Sequence, residues 1–300
     1  MIVVAFTWAE FAEQVAAGLA SGAVYASLAL ALVLIFRTTG AINFAQGEMA
    51  TFTTFIAWSL MNHGLGFWAA FPIVLVIAFV GGIGIERTLM RPFERGPVVS
   101  AAIVTLGLAL VLNGLMSVIW GGADRTFNGG FSTRTVKIAG AHISIQYIGM
   151  VAVLIVLVVL LAVFFRFTKV GLALRAASLN PDSSRLVGIR VGWMFALGWG
   201  LAAVVGAIAG LMIAPIESLG PDMMQVILLY AFAAAVLGGL DSPVGAVVGG
   251  LLLGLVITLL GRYVGYVGQT LKLPVALLLI LALLVVRPGG LFGRVAARRV

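Results

Sequence analysis

The chain has 300 residues, of which 62% are hydrophobic and 9% are charged, and its formal net charge is +8. Ordinary soluble domains are about 45–50% apolar and about 25% charged, so this composition excludes a soluble globule and favours a protein that uses lipid as its solvent. The chain has no cysteine and only two histidines, His63 and His142, which excludes disulfides and thiolate chemistry and argues against a metal site.

Nine hydrophobic segments have the length of a membrane-spanning helix or nearly so. No stretch has the alternating ten-residue strands of a β-barrel, so we expect an all-α polytopic integral membrane protein with eight or nine transmembrane helices. The second and seventh segments are short or polar at one end, which leaves open whether they span the membrane or form re-entrant or broken elements. The predicted segments are 14–36, 43–61, 66–86, 98–120, 145–165, 193–215, 225–240, 243–261 and 273–287.

The basic residues predict how the chain is oriented in the membrane. They lie mostly between hydrophobic runs, in clusters separated by even numbers of spans, which favours an N-terminus outside and a C-terminus inside and does not suggest nucleic-acid binding. The N-terminal stretch before the first span carries Glu10 and Glu13 and has no basic region, so we interpret the first span as permanent and not as a signal peptide. The connection 121–144 is polar and glycine-rich, and we expect it outside as a short hairpin partly covering the external mouth. No linker interrupts the sequence, so residues 1–300 are predicted to form one domain.

The stretch GAINFAQGEMATF, residues 40–52, places three polar side chains beside an apolar segment. Asn43 and Gln46 fall on one helical face, and we expect them either to cap a broken helix or to line a transport path. A charged side chain inside lipid costs about 2.5–3.5 kcal/mol on insertion scales, so Glu48 is not expected to face lipid. It either pairs with a basic residue such as Arg37 or holds a neighbouring helix.

Small residues and one polar side chain predict how the spans contact each other. In lipid no hydrophobic effect drives helices together, so close backbone approach at small residues supplies the contact. Asn113, inside the fourth span, is interpreted either as an interhelical hydrogen-bonding residue or as part of a pathway lining. The stripes comprise Gly18, Gly22 and Ala26, then Gly198, Ala202, Gly206 and Gly210, then Gly245, Gly249, Gly250 and Gly254.

The connection 166–192 is too polar to span the membrane and contains two helical patterns. Lys169 to Ser178 has leucine and alanine at helical spacing, and Asn180 followed by Pro181 is a helix-starting pair. Two interpretations stay open: an interfacial helix held by arginines at the membrane surface, or a surface that docks on an acidic protein groove. The apolar residues available for either contact are Leu172, Leu186, Val187 and Ile189.

Six stretches with distinctive motifs follow one another along nearly the whole chain: TGAINFAQGEM (39–49), ERTLMRPF (86–93), IVTLGLALVLNGL (103–115), G-x-A-x-R-A (171–176) with Asn180 and Gly188–Ile189, LLYAFAAAVLGGLDSPVGAVVGGLLLG (228–254) and RPGGLFG (287–293). In this order they resemble the branched-chain amino acid permeases of ABC importers, the LivH/LivM type. The sequence departs from the family pattern at Tyr230, where lysine is expected, and at Asp241, where glycine is common.

The resemblance implies an ABC importer permease fold in which the connection 166–192 is a cytoplasmic coupling loop docked on a separate ATPase. The chain has no G-x-x-x-x-G-K-[ST] motif, so ATP hydrolysis is expected on the partner, and neither an enzymatic activity nor a cofactor is expected in this chain. The coupling contact is assigned to Gly171, Arg175, Asn180, Gly188 and Ile189. The translocation pathway is assigned to Asn43, Gln46, Glu48 and Asn113.

The implied assembly contains a second, LivM-like permease, two ATPase subunits and a periplasmic solute-binding protein, in a bacterial inner membrane. The expected cargo is a branched-chain or similar small apolar amino acid, and urea or short amides are the related alternative. A different class, an ion-coupled secondary amino acid transporter, needs coupling groups at the midplane, for which Glu48 is the single candidate. An intramembrane enzyme needs a catalytic cluster, and the sequence contains none.

Overall fold

The computed structural model describes residues 7–93, 96–138, 140–264, 271–287 and 289–293, and most of these are helical. Helix α3 continues through a π turn (Glu86–Met90) and a 3₁₀ turn (Arg91–Phe93). The described helices and strands are α1 (Trp8–Thr39), α2 (Gln46–Asn62), α3 (Phe67–Ile85), α4 (Val98–Trp120), β1 (Thr135–Ile138), β2 (Ala141–Ser144), α5 (Ile145–Phe167), α6 (Lys169–Leu179), α7 (Pro181–Leu186), α8 (Val191–Glu217), α9 (Gln225–Gly238), α10 (Pro243–Tyr263) and α11 (Lys272–Val286).

Helix length confirms a multi-pass membrane protein with short elements. Within the described residues six helices are long and apolar enough to cross a membrane: α1, α3 with its two terminal turns, α4, α5, α8 and α10. Helices α9 and α11 are apolar but shorter, and α2 has 17 residues. At 1.5 Å per residue the 14 residues of α9 extend about 21 Å, which is less than the roughly 30 Å of a hydrocarbon core. The predicted all-α polytopic fold is therefore confirmed.

The described residues divide into two compact units, and a single domain over 1–300 remains a prediction. The first unit draws on residues 1–30, 130–154 and 226–300. In it, the predicted small-residue stripes of α1 and α10 meet. A Cβ added to Gly250 would lie 2.4 Å from Ala26 Cα, and one added to Gly254 would lie 2.3 Å from Gly22 Cα. These backbones approach closely only because side chains are absent there, as the stripes predict.

The N-terminal end of α1 is longer than predicted, and its acidic residues have partners. The β1–β2 hairpin that was expected within 121–144 forms, with Thr135 opposite Ser144. The backbone N–H of His142 donates to Glu13 Oε1 at 2.8 Å, and Arg262 Nη2 lies 3.9 Å from Glu10 Oε1. Both carboxylates are therefore accommodated inside a helix that begins at Trp8.

The second unit, residues 31–129 and 155–225, is built around α8. Trp199 of α8 is fully buried. The predicted small-residue face of α8 receives polar side chains, because a glycine leaves room for them. The close pairs are Gly198 with Thr38, Gly206 with Gln46 and Gly210 with Thr54.

Candidate functional site

A break in the helices separates α1 from α2 deep within the second unit. Helix α1 ends at Thr39, Gly40 adopts a positive φ of 70°, and α2 begins only at Gln46. The start of α2 is level with Ala202, the middle of the α8 span. Non-helical backbone within a membrane needs hydrogen-bond partners inside the protein. The residues around the break are therefore expected to contact polar side chains.

Side chains satisfy the backbone at this break. Asn43 Oδ1 accepts from the N–H of Ala45 at 3.0 Å. Thr105 Oγ1, from α4, accepts from the N–H of Phe44 at 3.2 Å. Asn43 Nδ2 donates to Gln46 Oε1 at 3.1 Å. Asn43 therefore caps the break from within its own segment, and Thr105 supports it from a neighbouring helix.

Gln46 attaches the start of α2 to α8. Its Nε2 donates to the backbone oxygen of Ala202 at 3.0 Å, and neither Asn43 nor Gln46 has any exposed surface. Of the two roles predicted for this pair, capping a broken helix accounts for their contacts. Lining of the pathway by these two side chains remains a prediction.

Two residues assigned to the pathway, Glu48 and Asn113, interact with Asp222: Asn113 by a hydrogen bond and Glu48 electrostatically. Glu48 is 7% exposed, and its Oε2 has no hydrogen-bond partner among the described residues. Asp222 is near enough to act on Glu48 electrostatically. Asn113 Nδ2 donates to Asp222 Oδ1 at 2.9 Å, and Gln225 Nε2 donates to the same oxygen at 2.6 Å. We call Glu48, Asn113, Asp222 and Gln225 the Asp222 cluster.

Asp222 is not among the site residues that the sequence analysis assigned. The connection between α8 and α9 reaches Asn113, seven residues before the last residue of α4. That separation corresponds to about 10 Å along the helix axis. Asn113 itself could have indicated a polar residue at this position, because a lone amide in an apolar span requires a polar partner.

An apolar cavity lies among α2, α3, α4 and α8. Its volume is about 170 Å³. Two of its lining residues, Met49 and Leu112, directly neighbour Glu48 and Asn113 in the sequence. The cavity is lined by Met49, Phe52, Thr53, Ile56, Ile77, Ala78, Gly81, Gly82, Ile85, Leu112 and Ala203.

The connection between α5 and α8 contains the two predicted helices, and both have side-chain caps. Thr168 Oγ1 accepts from Gly171 N–H at 2.9 Å at the start of α6. Asn180 Oδ1 accepts from Ser183 N–H at 3.0 Å at the start of α7, with Pro181 in the first helical position. Gly171 is required sterically, because a Cβ there would lie 2.2 Å from the backbone oxygen of Phe164.

Of the predicted coupling residues, Gly171 is buried, Arg175 and Ile189 are half-buried, and Asn180 and Gly188 are exposed. Gly188 has a positive φ of 85° at the end of α7. Ile189 is half-buried and packs against a small core that includes Val191 of α8. Arg175 is half-buried, and its Nε has no hydrogen-bond partner among the described residues. The most exposed apolar side chain is Leu186, at 90%, and the others that project are Leu172, Leu179 and Val187.

The arrangement of helices defines a class of membrane protein. The chain matches the solved structure described as PsaBC from Streptococcus pneumoniae in complex with Fab, with a TM-score of 0.51 and 15% sequence identity over 93% of this chain and 95% of that chain. The fold is an ABC importer permease fold, as predicted. Residues 14–286 match the family model described as the branched-chain amino acid transport system / permease component, and the chain belongs to this family.

Two relatives resemble the chain along nearly its full length. The high-affinity branched-chain amino acid transport system permease protein LivH of Escherichia coli is 29% identical over 97% of this chain and 98% of its own. The corresponding permease protein BraD of Pseudomonas aeruginosa is also 29% identical, with the same coverage. The family resemblance that the sequence motifs indicated is therefore confirmed.

Proposed function

We propose that this chain is the membrane-spanning permease subunit of an ATP-driven importer for branched-chain amino acids. The observation that carries the proposal is the family match over residues 14–286. It is supported by two relatives whose names specify branched-chain amino acid transport. A zwitterion with an aliphatic side chain suits a path with few fixed charges. Selectivity then resides mainly in the periplasmic binding protein that delivers the cargo.

Energy comes from two ATPase subunits that dock on the α5–α8 connection. The sequence has no P-loop motif of its own. The exposed apolar side chains Leu186 and Val187 are the contact points, and the capped helices α6 and α7 hold them in place. Arg175 supplies charge for an acidic partner groove, while Gly171, Asn180, Gly188 and Ile189 set the shape of the connection.

The working complex includes a second, LivM-like permease, so that the pathway forms between two membrane subunits. The distribution of basic residues supports an orientation with the N-terminus in the periplasm and the α5–α8 connection and C-terminus in the cytoplasm of a bacterial cell. The membrane in question is then the inner membrane.

The direct test is co-purification from the native membrane, followed by uptake of labelled leucine into proteoliposomes that contain the complete complex. We expect uptake to require nucleotide on the ATPase side and the loaded binding protein on the other. Uptake that proceeds at full rate without ATP, driven by an ion gradient, would refute the proposal in favour of a secondary transporter.

Variants of the connection test the coupling role. Gly188→Val places a side chain at a positive φ, where L-residues are strained, and Arg175→Glu reverses a charge. Both should reduce ATP-driven uptake while the chain still inserts in the membrane. The matched control is Gly192→Ala, because its added Cβ meets nothing within 4 Å. Unchanged uptake in both coupling variants would contradict the assignment.

A further inference from the structure

Asp222 is a carboxylate held by amides and not by a cation. Its Oδ1 accepts hydrogen bonds from Asn113 Nδ2 at 2.9 Å and from Gln225 Nε2 at 2.6 Å. Its other oxygen accepts none from the described residues. The two amides fix the position of the carboxylate and leave one oxygen available to a further donor.

Glu48 is a second acidic group, within electrostatic range of Asp222. It lies in the first turn of α2, is more than nine-tenths buried, and its Oε2 has no partner among the described residues. Asp222 acts on it electrostatically. Neither carboxylate forms an ion pair with a described Lys or Arg. The ion pairs among the described residues involve Glu86, Asp182 and Glu10.

Two acidic groups without a Lys or Arg partner among the described residues are suited to a cation that comes from outside the chain. Ionisable side chains inside a membrane face a bundle interior or a water-filled path, because lipid cannot solvate them. Asp222 and Gln225 are exposed on this chain, so the cluster is open to whatever passes along that surface. Of the groups that a branched-chain amino acid carries, only its α-ammonium is cationic and a hydrogen-bond donor.

We propose that Asp222 and Glu48 bind the α-ammonium group of the cargo during passage, with Asn113 and Gln225 positioning the Asp222 carboxylate. This inference rests on the proposed function of the chain as an amino acid permease. The cavity among α2, α3, α4 and α8 suits the aliphatic part of the same cargo, because its lining is almost entirely apolar.

The experiment uses the complete transporter, purified with its native partner subunits and reconstituted with its binding protein saturated with leucine. Saturation removes differences in delivery, so the maximal uptake rate reports passage through the membrane subunits. The variants are Asp222→Asn, Asp222→Glu and Glu48→Gln. The matched control is Glu217→Gln, an exposed carboxylate at the end of α8. Subunit stoichiometry and ATP hydrolysis are measured on every preparation.

We expect Asp222→Asn to lower maximal leucine uptake by about tenfold or more while the subunits stay together and ATP hydrolysis continues. Asp222→Glu should recover part of the rate because it restores the negative charge, and Glu48→Gln should fall between Asp222→Asn and wild type. Glu217→Gln should match wild type. A purely structural role for Asp222 would not give rescue by charge.

Three results would overturn the inference. Wild-type uptake in Asp222→Asn would remove the ammonium site and leave the proposed function standing. Loss of the partner permease from both neutralised variants during purification would assign the missing cation to a basic side chain of that subunit. Absence of ATP-driven leucine uptake by the wild-type complex would refute the proposed function, and the inference with it.

Discussion

Substituting Gly206 by alanine should disrupt the attachment of α2 to α8. A Cβ at this position would lie 2.4 Å from Gln46 Nε2, which is too close for any real contact. The Gln46 side chain is fully buried, and its amide both donates to the Ala202 oxygen and accepts from Asn43. It therefore cannot move aside without giving up hydrogen bonds.

The magnitude follows from two effects. Overpacking of a well-filled site costs about 1–3 kcal/mol, and an interhelical hydrogen bond in a membrane protein contributes about 0.6 kcal/mol on average and about 1.7 at most. We expect Gly206→Ala to lower the free energy of unfolding by about 1–3 kcal/mol. Gln46→Ala alone leaves buried polar groups unpaired, which also costs about 1–3 kcal/mol. Because it removes the clashing atom, the double variant should cost at least about 1 kcal/mol less than the sum of the single variants.

The assay is a double-mutant cycle, with unfolding of the purified protein in mixed detergent micelles followed by circular dichroism. Gly107→Ala is the control, because its added Cβ meets nothing within 4 Å, and it should be nearly neutral. Strict additivity of Gly206→Ala and Gln46→Ala, or no loss of stability in Gly206→Ala, would refute the reasoning that Gln46 is pinned between the two helices.

Three further substitutions test the packing of α3 on α8, the support of the helix break and the cap of α7. Gly82→Ala should destabilise the protein by about 1–3 kcal/mol, because its Cβ would lie 2.7 Å from a backbone oxygen of α8. Gly81→Ala is the control, because its Cβ meets nothing within 4 Å. Equal stability of the two variants in a denaturant titration would contradict the close packing of α3 on α8. Thr105→Val leaves the Phe44 N–H at the break unpaired and should lower the free energy of unfolding by about 1–3 kcal/mol. Thr105→Ser keeps the hydroxyl and should retain most of the wild-type stability. A serine variant as unstable as the valine variant would show that the loss comes from packing and not from the hydrogen bond. Asn180→Ala removes the cap of α7 and should destabilise this helix by about 0.5–2 kcal/mol. The α7 amides should then exchange hydrogen faster. Unchanged exchange would show that the cap does not stabilise α7.

Local chemistry made much of the fold predictable from the sequence. The fourth span was predicted at 98–120, and α4 begins and ends at those residues, because Pro97 precedes it and Gly121 follows it. Asn180 and Pro181 marked the start of α7 for the same kind of reason. The small-residue stripes were correctly interpreted as packing surfaces, since only a close helix neighbour makes a four-residue repeat of glycine useful in lipid.

Tertiary contacts were beyond the reach of sequence patterns. The second span was predicted to begin at residue 43, but α2 begins at Gln46, because side chains from α4 and its own segment replace the helical hydrogen bonds of the intervening residues. The depth of Asp222 was missed because nothing in the local sequence indicates that a connection turns inward. The role of Ile189 was likewise invisible, since its packing partners lie on other helices.

The long helix α8 has a mechanical consequence. Near its first residue it packs with Ile189 and the α6–α7 helices, in its middle it is bonded to the start of α2, and just past its last residue Leu219 pairs with Arg125. Its 27 residues extend about 40 Å, so a tilt of about 10° pivoting at one end displaces the other by roughly 7 Å. A small displacement of α8 near Ile189 would therefore produce a larger displacement of the turn that contains Asp222.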